Sequence, residues 1–204
     1  VGKLDSSEFS CCTSFSASGH KFSGPKGVGL LACTRPFPLQ RGGEQENGWR
    51  GGTENYPSIA SMLSAFTQSQ ESLADFSQRA SWRDKFEIDL LNFLPNTRIL
   101  GKEHPRLWNT SMLVMPKFEN LSWIGKLDKL GFSVSTGSAC STGSGTNSLV
   151  ASSMNLSAGE LRRLIRISSY TNESAQDWQN LNSGIEKAYS QLEKEASSSS
   201  VISL

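Results

Sequence analysis

The 204-residue chain sets 20 lysines and arginines against 19 aspartates and glutamates, a formal charge of +1, with 36% hydrophobic residues. No broad field draws such a chain to nucleic acid or anionic lipid, and its longest apolar run, Val28 to Cys33, is far too short for a membrane span. Serine fills about one position in six, well above ordinary usage, yet the length suffices for a sizeable core.

The first fifty residues read as short strands and glycine-punctuated loops. Ser14 to Ala17 lead into Ser18-Gly19-His20-Lys21-Phe22, and the apolar run Val28 to Cys33 has strand character, ended by Thr34-Arg35-Pro36. A glycine-rich loop covers Arg41 to Thr53. From Tyr56 the pattern turns helical, with Pro57 suited to a first turn. Ile59, Met62, Leu63, Phe66, Leu73 and Phe76 are spaced to form one face, and the helix is expected to run to Pro95 with a break near Ser81. A helical stretch of this length reads as a connector between domains.

Beyond it, strand and helix alternate. Strands are expected at Ser111 to Met115, Phe132 to Ser135 and Leu164 to Ser168, with a short amphipathic helix from Leu121 to Leu130 closed by Gly131. Ser157 and Glu160 fit a capping box. Trp178, Leu181, Ile185, Ala188, Tyr189 and Leu192 mark a last helix capped by Thr171 or Asn172, followed by an unstructured serine-rich tail. The class is α/β.

The four cysteines, Cys11, Cys12, Cys33 and Cys140, contain no C-x-x-C pair, and only His20 and His104 could supplement them. A zinc site is therefore not expected. So few cysteines fit a reducing compartment, with the cytosol as the expected location. No charged segment leading into an apolar stretch opens the chain, so a secretory signal is not expected.

Three residues stand out chemically. Lysines are mostly solvated surface charges, but Lys21 follows a hydroxyl (Ser18), a backbone amide (Gly19) and an imidazole (His20) at a strand end. Such a group suits an anionic cofactor, and an amine beside a phosphate cradle is what a pyridoxal phosphate Schiff base requires. A free cysteine is more often a small buried hydrophobe than a nucleophile, yet Cys140 lies among Ser, Thr, Gly and Ala, where a loop cannot bury it well. An accessible thiol is a few per cent thiolate at neutral pH, enough for a sulfur nucleophile. Arg166 interrupts an apolar strand. It is an ordinary salt bridge, a snorkelling surface residue, or a fork that grips a carboxylate with two hydrogen bonds.

Ser18 to Gly27 (Ser-Gly-His-Lys-Phe-x-Gly-Pro-Lys-Gly), Gly42 to Asn55 (Gly-Gly-x-Gln-Glu-x-Gly-x-Arg-x-Gly-Thr-Glu-Asn) and Ser135 to Ser141 (Ser-Thr-Gly-Ser-Ala-Cys-Ser) resemble the cysteine desulfurases. Within that class V aminotransferase family the likeness is to the group with a long cysteine loop that serves nitrogenase and iron–sulfur assembly. Leu107-x-Asn109-Thr110 and Ile165-Arg166-Ile167-Ser168 follow in family order, so the resemblance runs from about Val1 to Ser168.

The resemblance implies an incomplete pyridoxal-phosphate-dependent transferase fold of type I. Residues 1–79 would close the large cofactor domain and include the connector, 80–195 would form the small α/β domain, and 196–204 a disordered tail. Lys21 would hold pyridoxal 5'-phosphate covalently and move protons, with Ser18 and His20 on its phosphate and Thr53 reaching the phosphate of the neighbouring subunit in a homodimer. Arg166 would orient the carboxylate of L-cysteine, and Cys140 would take its sulfur as a persulfide, leaving L-alanine. The persulfide would pass to a sulfur acceptor or iron–sulfur scaffold protein, and neither nucleic acid nor membrane is expected as a partner.

The family is about twice this length, and its cofactor-binding Asp, Gln and ring-stacking His fall before Val1; Asp5 does not fill the Asp role by position. The chain alone is therefore expected to be inactive and to expose apolar surface. Ser23, Trp108 and Ser169-Tyr170 depart from the family pattern, which usually has an aromatic or His, a Pro, and a small residue with Gly. The alternatives are a selenocysteine lyase or another C–S lyase on the same scaffold, a non-catalytic scaffold subunit, and, less well supported, a Cys–His hydrolase.

Overall fold

The computed structural model describes residues 2–34, 43–136, 153–170 and 172–200. Two compact units emerge, residues 1–76 and 77–204.

In the first unit, β1 (Ser14–Ser18) and β2 (Gly29–Cys33) pair antiparallel, Ser14 opposite Cys33 and Ser18 opposite Gly29. Both strands alternate between exposed and half-buried residues, the mark of a ribbon with one packed face. Between them the chain turns through a 3-10 helix, Gly19–Phe22. After a single turn, α1 (Gln45–Gly48), the helix α2 (Tyr56–Glu71) begins with Asn55 as its cap, the Asn55 Oδ1 accepting from the Ser58 amide at 3.3 Å. Met62, Ala65 and Phe66 of α2 cover Phe22, Ala17, Val28 and Leu30, so the small core clamps the 3-10 turn to the helix. The buried stripe is narrower than the periodicity predicts: Leu63 is 55% exposed.

The helical break falls at Ser72–Asp75, a 3-10 turn, ahead of Ser81; α3 (Phe76–Phe93) then runs unbroken into the second unit. There a four-stranded antiparallel sheet has the order β3-β4-β6-β5, from Arg98–Ile99, Thr110–Val114, Leu164–Ser168 and Ser135–Thr136. Only the end of the predicted Phe132 to Ser135 strand pairs, because Phe132 and Val134 pack into the core ahead of it. The side chains of Leu113, Ile165 and Ile167 join one core with Phe86 and Leu90 of α3, Trp123 and Leu127 of α4 (Asn120–Lys129), and Trp178, Leu181 and Ile185 of α6 (Ala175–Ser200). A smaller cluster holds Val114 and Leu164 with Leu100 and Leu156. A side chain at Gly184 would collide with the Phe132 ring, which explains glycine inside a helix. α5 (Ala158–Leu161) opens on the predicted capping box of Ser157 and Glu160.

Two expectations about α6 are corrected. Its cap is Ser174, whose Oγ accepts from the Asp177 amide at 3.4 Å while Asp177 Oδ2 accepts the Ser174 amide at 2.8 Å. The helix also runs on to Ser200 where a loose tail was expected. Ser197 and Ser198 donate their hydroxyls to the carbonyls of Glu193 and Lys194, both at 2.9 Å, so these serines satisfy themselves inside the helix.

Candidate active site

The turn Gly19–Phe22 starts where β1 ends and is fixed by backbone rather than by side chains. The Gly19 amide donates to the Val28 carbonyl at 2.9 Å and the Gly24 amide to the Gly19 carbonyl at 2.9 Å. A Cβ on Gly19 would press on Pro25 O at 3.1 Å and on Val28 at 3.2 Å, so the tightness of the turn excludes a larger residue. Phe22 is buried and meets Phe66 edge-on at 6.1 Å, which anchors the far end.

Upon this rigid turn, Ser18, His20 and Lys21 are exposed, and the Ser18 hydroxyl makes no cap hydrogen bond. Among the described residues, none of the three side chains has a hydrogen-bonded or ionic partner. Thr53 is also exposed, in the loop that leads to Asn55 and α2; nearby, Arg50 donates to the Gly52 carbonyl at 3.2 Å, an internal brace. A cleft of about 750 Å³ beside the ribbon is lined by Val28, Cys33, Trp49, Arg50 and Asn55 among others, and not by Ser18, His20, Lys21 or Thr53. Asp5 is occupied locally: Oδ1 accepts from the Ser7 amide at 2.8 Å, which holds its carboxyl below the usual range.

Arg166 belongs to the second unit. On β6 it stands opposite Met112 of β4 and Ser135 of β5, so these three form a row on one face of the sheet, with Thr110 and Ser168 in the next. Among the described residues no ion pair engages its guanidinium, and its Nε is buried without a partner. Among the described residues, then, no ordinary salt bridge holds it, and the side chain is half-buried. Cys140 lies outside the described residues.

Residues 2–181 match the aminotransferase class-V family. The chain belongs to that family. Over 165 residues it is 38% identical to a protein of Trichormus variabilis named Cysteine desulfurase 2, covering 78% of this chain and 42% of that protein. Over 168 residues it is 35% identical to Cysteine desulfurase NifS of Azotobacter vinelandii, covering 79% and 42%. The X-ray structure of a NifS-like protein from Rickettsia africae superimposes with a TM-score of 0.75 at 25% identity, over 87% of this chain and 48% of that one. The chain thus has the mixed α/β class-V fold and spans less than half the length of the curated relatives it matches.

One further group of this class-V chain is knitted together only in three dimensions. Asn109, 2% exposed, donates its Nδ2 to the Ser169 carbonyl at 2.8 Å and accepts the Ser169 amide at its own carbonyl at 2.8 Å. Its motif neighbour Thr110 donates to Asn109 Oδ1 at 3.1 Å. Asn109 stands out in the sequence within Leu107-x-Asn109-Thr110, but its partner lies 60 positions on.

Proposed function

We propose that this chain supplies the later part of a pyridoxal-phosphate-dependent cysteine desulfurase, which takes sulfur from L-cysteine, releases L-alanine and leaves a persulfide on Cys140. The observation that carries the reading is the 3-10 turn of this class-V chain, on which a hydroxyl, an imidazole and an amine stand together with no partner among the described residues. Buried polar groups are normally satisfied by the protein, and groups left open on a rigid turn are available to a ligand. The donor set suits a phosphate-bearing aldehyde: Ser18 and His20 donate to the phosphate, while Lys21 holds the aldehyde carbon and afterwards carries protons to and from the substrate carbons. Bound there, pyridoxal phosphate supplies an electron sink that labilises the carbon–sulfur bond.

Arg166 takes the substrate carboxylate as a two-pronged hydrogen bond, and its lack of any acidic partner supports that role. Thr53 reaches the phosphate held by the second subunit of a homodimer. Cys140 accepts the sulfur and hands it to an acceptor or an iron–sulfur scaffold protein. Lys21, His20 and Ser18 are exposed on this chain, and the remaining length that the relatives possess is what would enclose them. With Asp5 tied to Ser7, the chain offers no carboxylate for the pyridine nitrogen from that position, so the 204 residues alone are proposed to be inactive. The small number of cysteines in the chain supports a reducing compartment such as the cytosol.

The deciding experiment is the absorbance spectrum of the whole protein expressed with pyridoxal phosphate, with and without Lys21→Ala. Loss of the visible band of the covalently held cofactor supports the reading, and an unchanged spectrum rejects it.

A further inference from the structure

Among the described residues, Arg166 has no side-chain partner to aim it, and its Nε is buried without one. Its guanidinium stands where the backbone of β6 puts it, so the fixity of that strand decides how well a carboxylate is met. On the β5 side the described residues supply two ladder pairs, Ser135–Arg166 and Thr136–Ile165, and a 3.5 Å hydrogen bond from the Ser135 hydroxyl to the Arg166 carbonyl. On the β4 side the ladder ends at Thr110–Ser168, two residues past Arg166. A strand end of this kind frays unless something closes it.

Asn109 closes it. Its carbonyl takes the Ser169 amide and its side-chain amide gives a proton to the Ser169 carbonyl, both at 2.8 Å. The amide cannot flip away, because its Oδ1 is held by the Thr110 hydroxyl at 3.1 Å, and the residue is 2% exposed. Both backbone groups of one residue are thereby clipped to a single buried asparagine, three positions beyond Arg166. No aliphatic residue offers that pair of bonds, and aspartate would set a second acceptor against the Ser169 carbonyl.

The geometry points to Asn109 as a positioning residue, one that holds the exit of β6 so that Arg166 meets the substrate carboxylate in register. This inference rests on the reading of Arg166 given above. Asn109 touches neither substrate nor cofactor; it acts through Ser169 and the strand.

The test compares L-cysteine with its methyl ester, which keeps the amine and thiol and lacks the carboxylate charge, using the whole cofactor-loaded protein. In Arg166→Ala the preference for the acid over the ester should collapse. If it does not, there is no carboxylate grip, and the reading of Arg166 and the inference built on it both fall. With that collapse in hand, Asn109→Ala should raise the KM for L-cysteine by about five- to tenfold, the worth of one lost hydrogen bond, with kcat nearly held and the ester little affected. Combined with Arg166→Ala it should add nothing, since both act on one contact. A merely structural asparagine would weaken both substrates alike and add to Arg166→Ala, and that outcome overturns the inference while leaving Arg166 in place. Amide hydrogen exchange supplies a readout apart from turnover: Ser169 should exchange faster in Asn109→Ala, and an unchanged rate counts against the clip. Should Asn109→Ala fail to fold, Asn109→Ser removes the same amide donor at lower cost and is judged by the same criteria.

Discussion

Arg106 and Arg166 flank the same strand, β4, and are held in opposite ways. Arg106 Nη1 and Nη2 meet Glu87 Oε1 and Oε2 at 2.7 and 2.9 Å, and the Ser111 hydroxyl adds a bond to Oε1 at 2.7 Å. Glu87 is 1% exposed, and its hydrogen bonds to Arg106 push that guanidinium's pKa up. Arg83 adds a bond to the Leu107 carbonyl and binds Asp84 at 2.7 Å. Arg166, two residues from the ladder's end, has no such partners among the described residues. The contrast repeats in the first unit, where Asn55 and Arg50 close onto their own loop while Ser18, His20 and Lys21 stay open. Charges with a full set of internal partners serve the fold, and the charges without one among the described residues are those proposed above to meet a ligand.

The largest expected effect breaks the open set. Lys21→Ala should abolish the cofactor band and lower cysteine turnover of the whole protein by roughly 10²–10⁴-fold, the usual range for a proton-carrying group. Thermal stability of the apoprotein should scarcely change, because no internal contact is lost. A large fall in Tm would put Lys21 among the structural residues. Cys140→Ala should keep the band and stop alanine formation from cysteine; undiminished turnover would remove Cys140 from its role.

The closed set yields the next largest effect, and it falls on stability. Arg106→Ala leaves the Glu87 carboxylate buried without its counter-charge, which should cost about 3–5 kcal/mol in denaturant unfolding. A loss below about 1 kcal/mol would mean that the pair behaves as a surface bridge. Arg166→Ala is the matched control. It should leave the unfolding midpoint nearly in place and raise the KM for cysteine by about ten- to a hundredfold, as removal of charge-assisted hydrogen bonds implies. If both arginines prove equally structural, the distinction between closed and open charges fails.

What could be read from the sequence follows from how far apart the partners are. Ser18, His20 and Lys21 are contiguous, and the capping box of Ser157 and Glu160 spans three positions, so both are visible in a string of letters. Ser111 and Glu87 lie 24 positions apart and Asn109 and Ser169 lie 60, and only the pairing of β4 with β6 and the packing of α3 bring them together. The helical face that starts at Ile59 is narrower than its spacing suggests, leaving Leu63 exposed, because periodicity gives a direction without saying how wide the covering surface is. The helical serine tail escaped for the opposite reason: serine is a weak helix former, and its back-bonding to the preceding turn shows only in three dimensions.

The smallest effect concerns acid. In the second unit the carboxyls of Glu160, Asp177 and Glu193 are all held below their ordinary values. The Ser157 amide is the main cause for Glu160, the Ser174 hydroxyl for Asp177 and the Lys117 ammonium for Glu193. Each group binds protons more weakly folded than unfolded. Its stabilisation is therefore complete above the ordinary carboxylate range, roughly pH 4, and disappears as pH falls through the lowered folded values. All three sites are open to solvent, so added salt should shrink the Glu193–Lys117 share most, since it is the ion pair of the three. Unfolding midpoints followed from neutral to acid pH should decline, and the decline should flatten when Glu160→Gln and Asp177→Asn are combined, because neither helix start then carries a carboxyl to protonate. The unaltered slope of such a double variant would show that the acid sensitivity comes from other carboxylates.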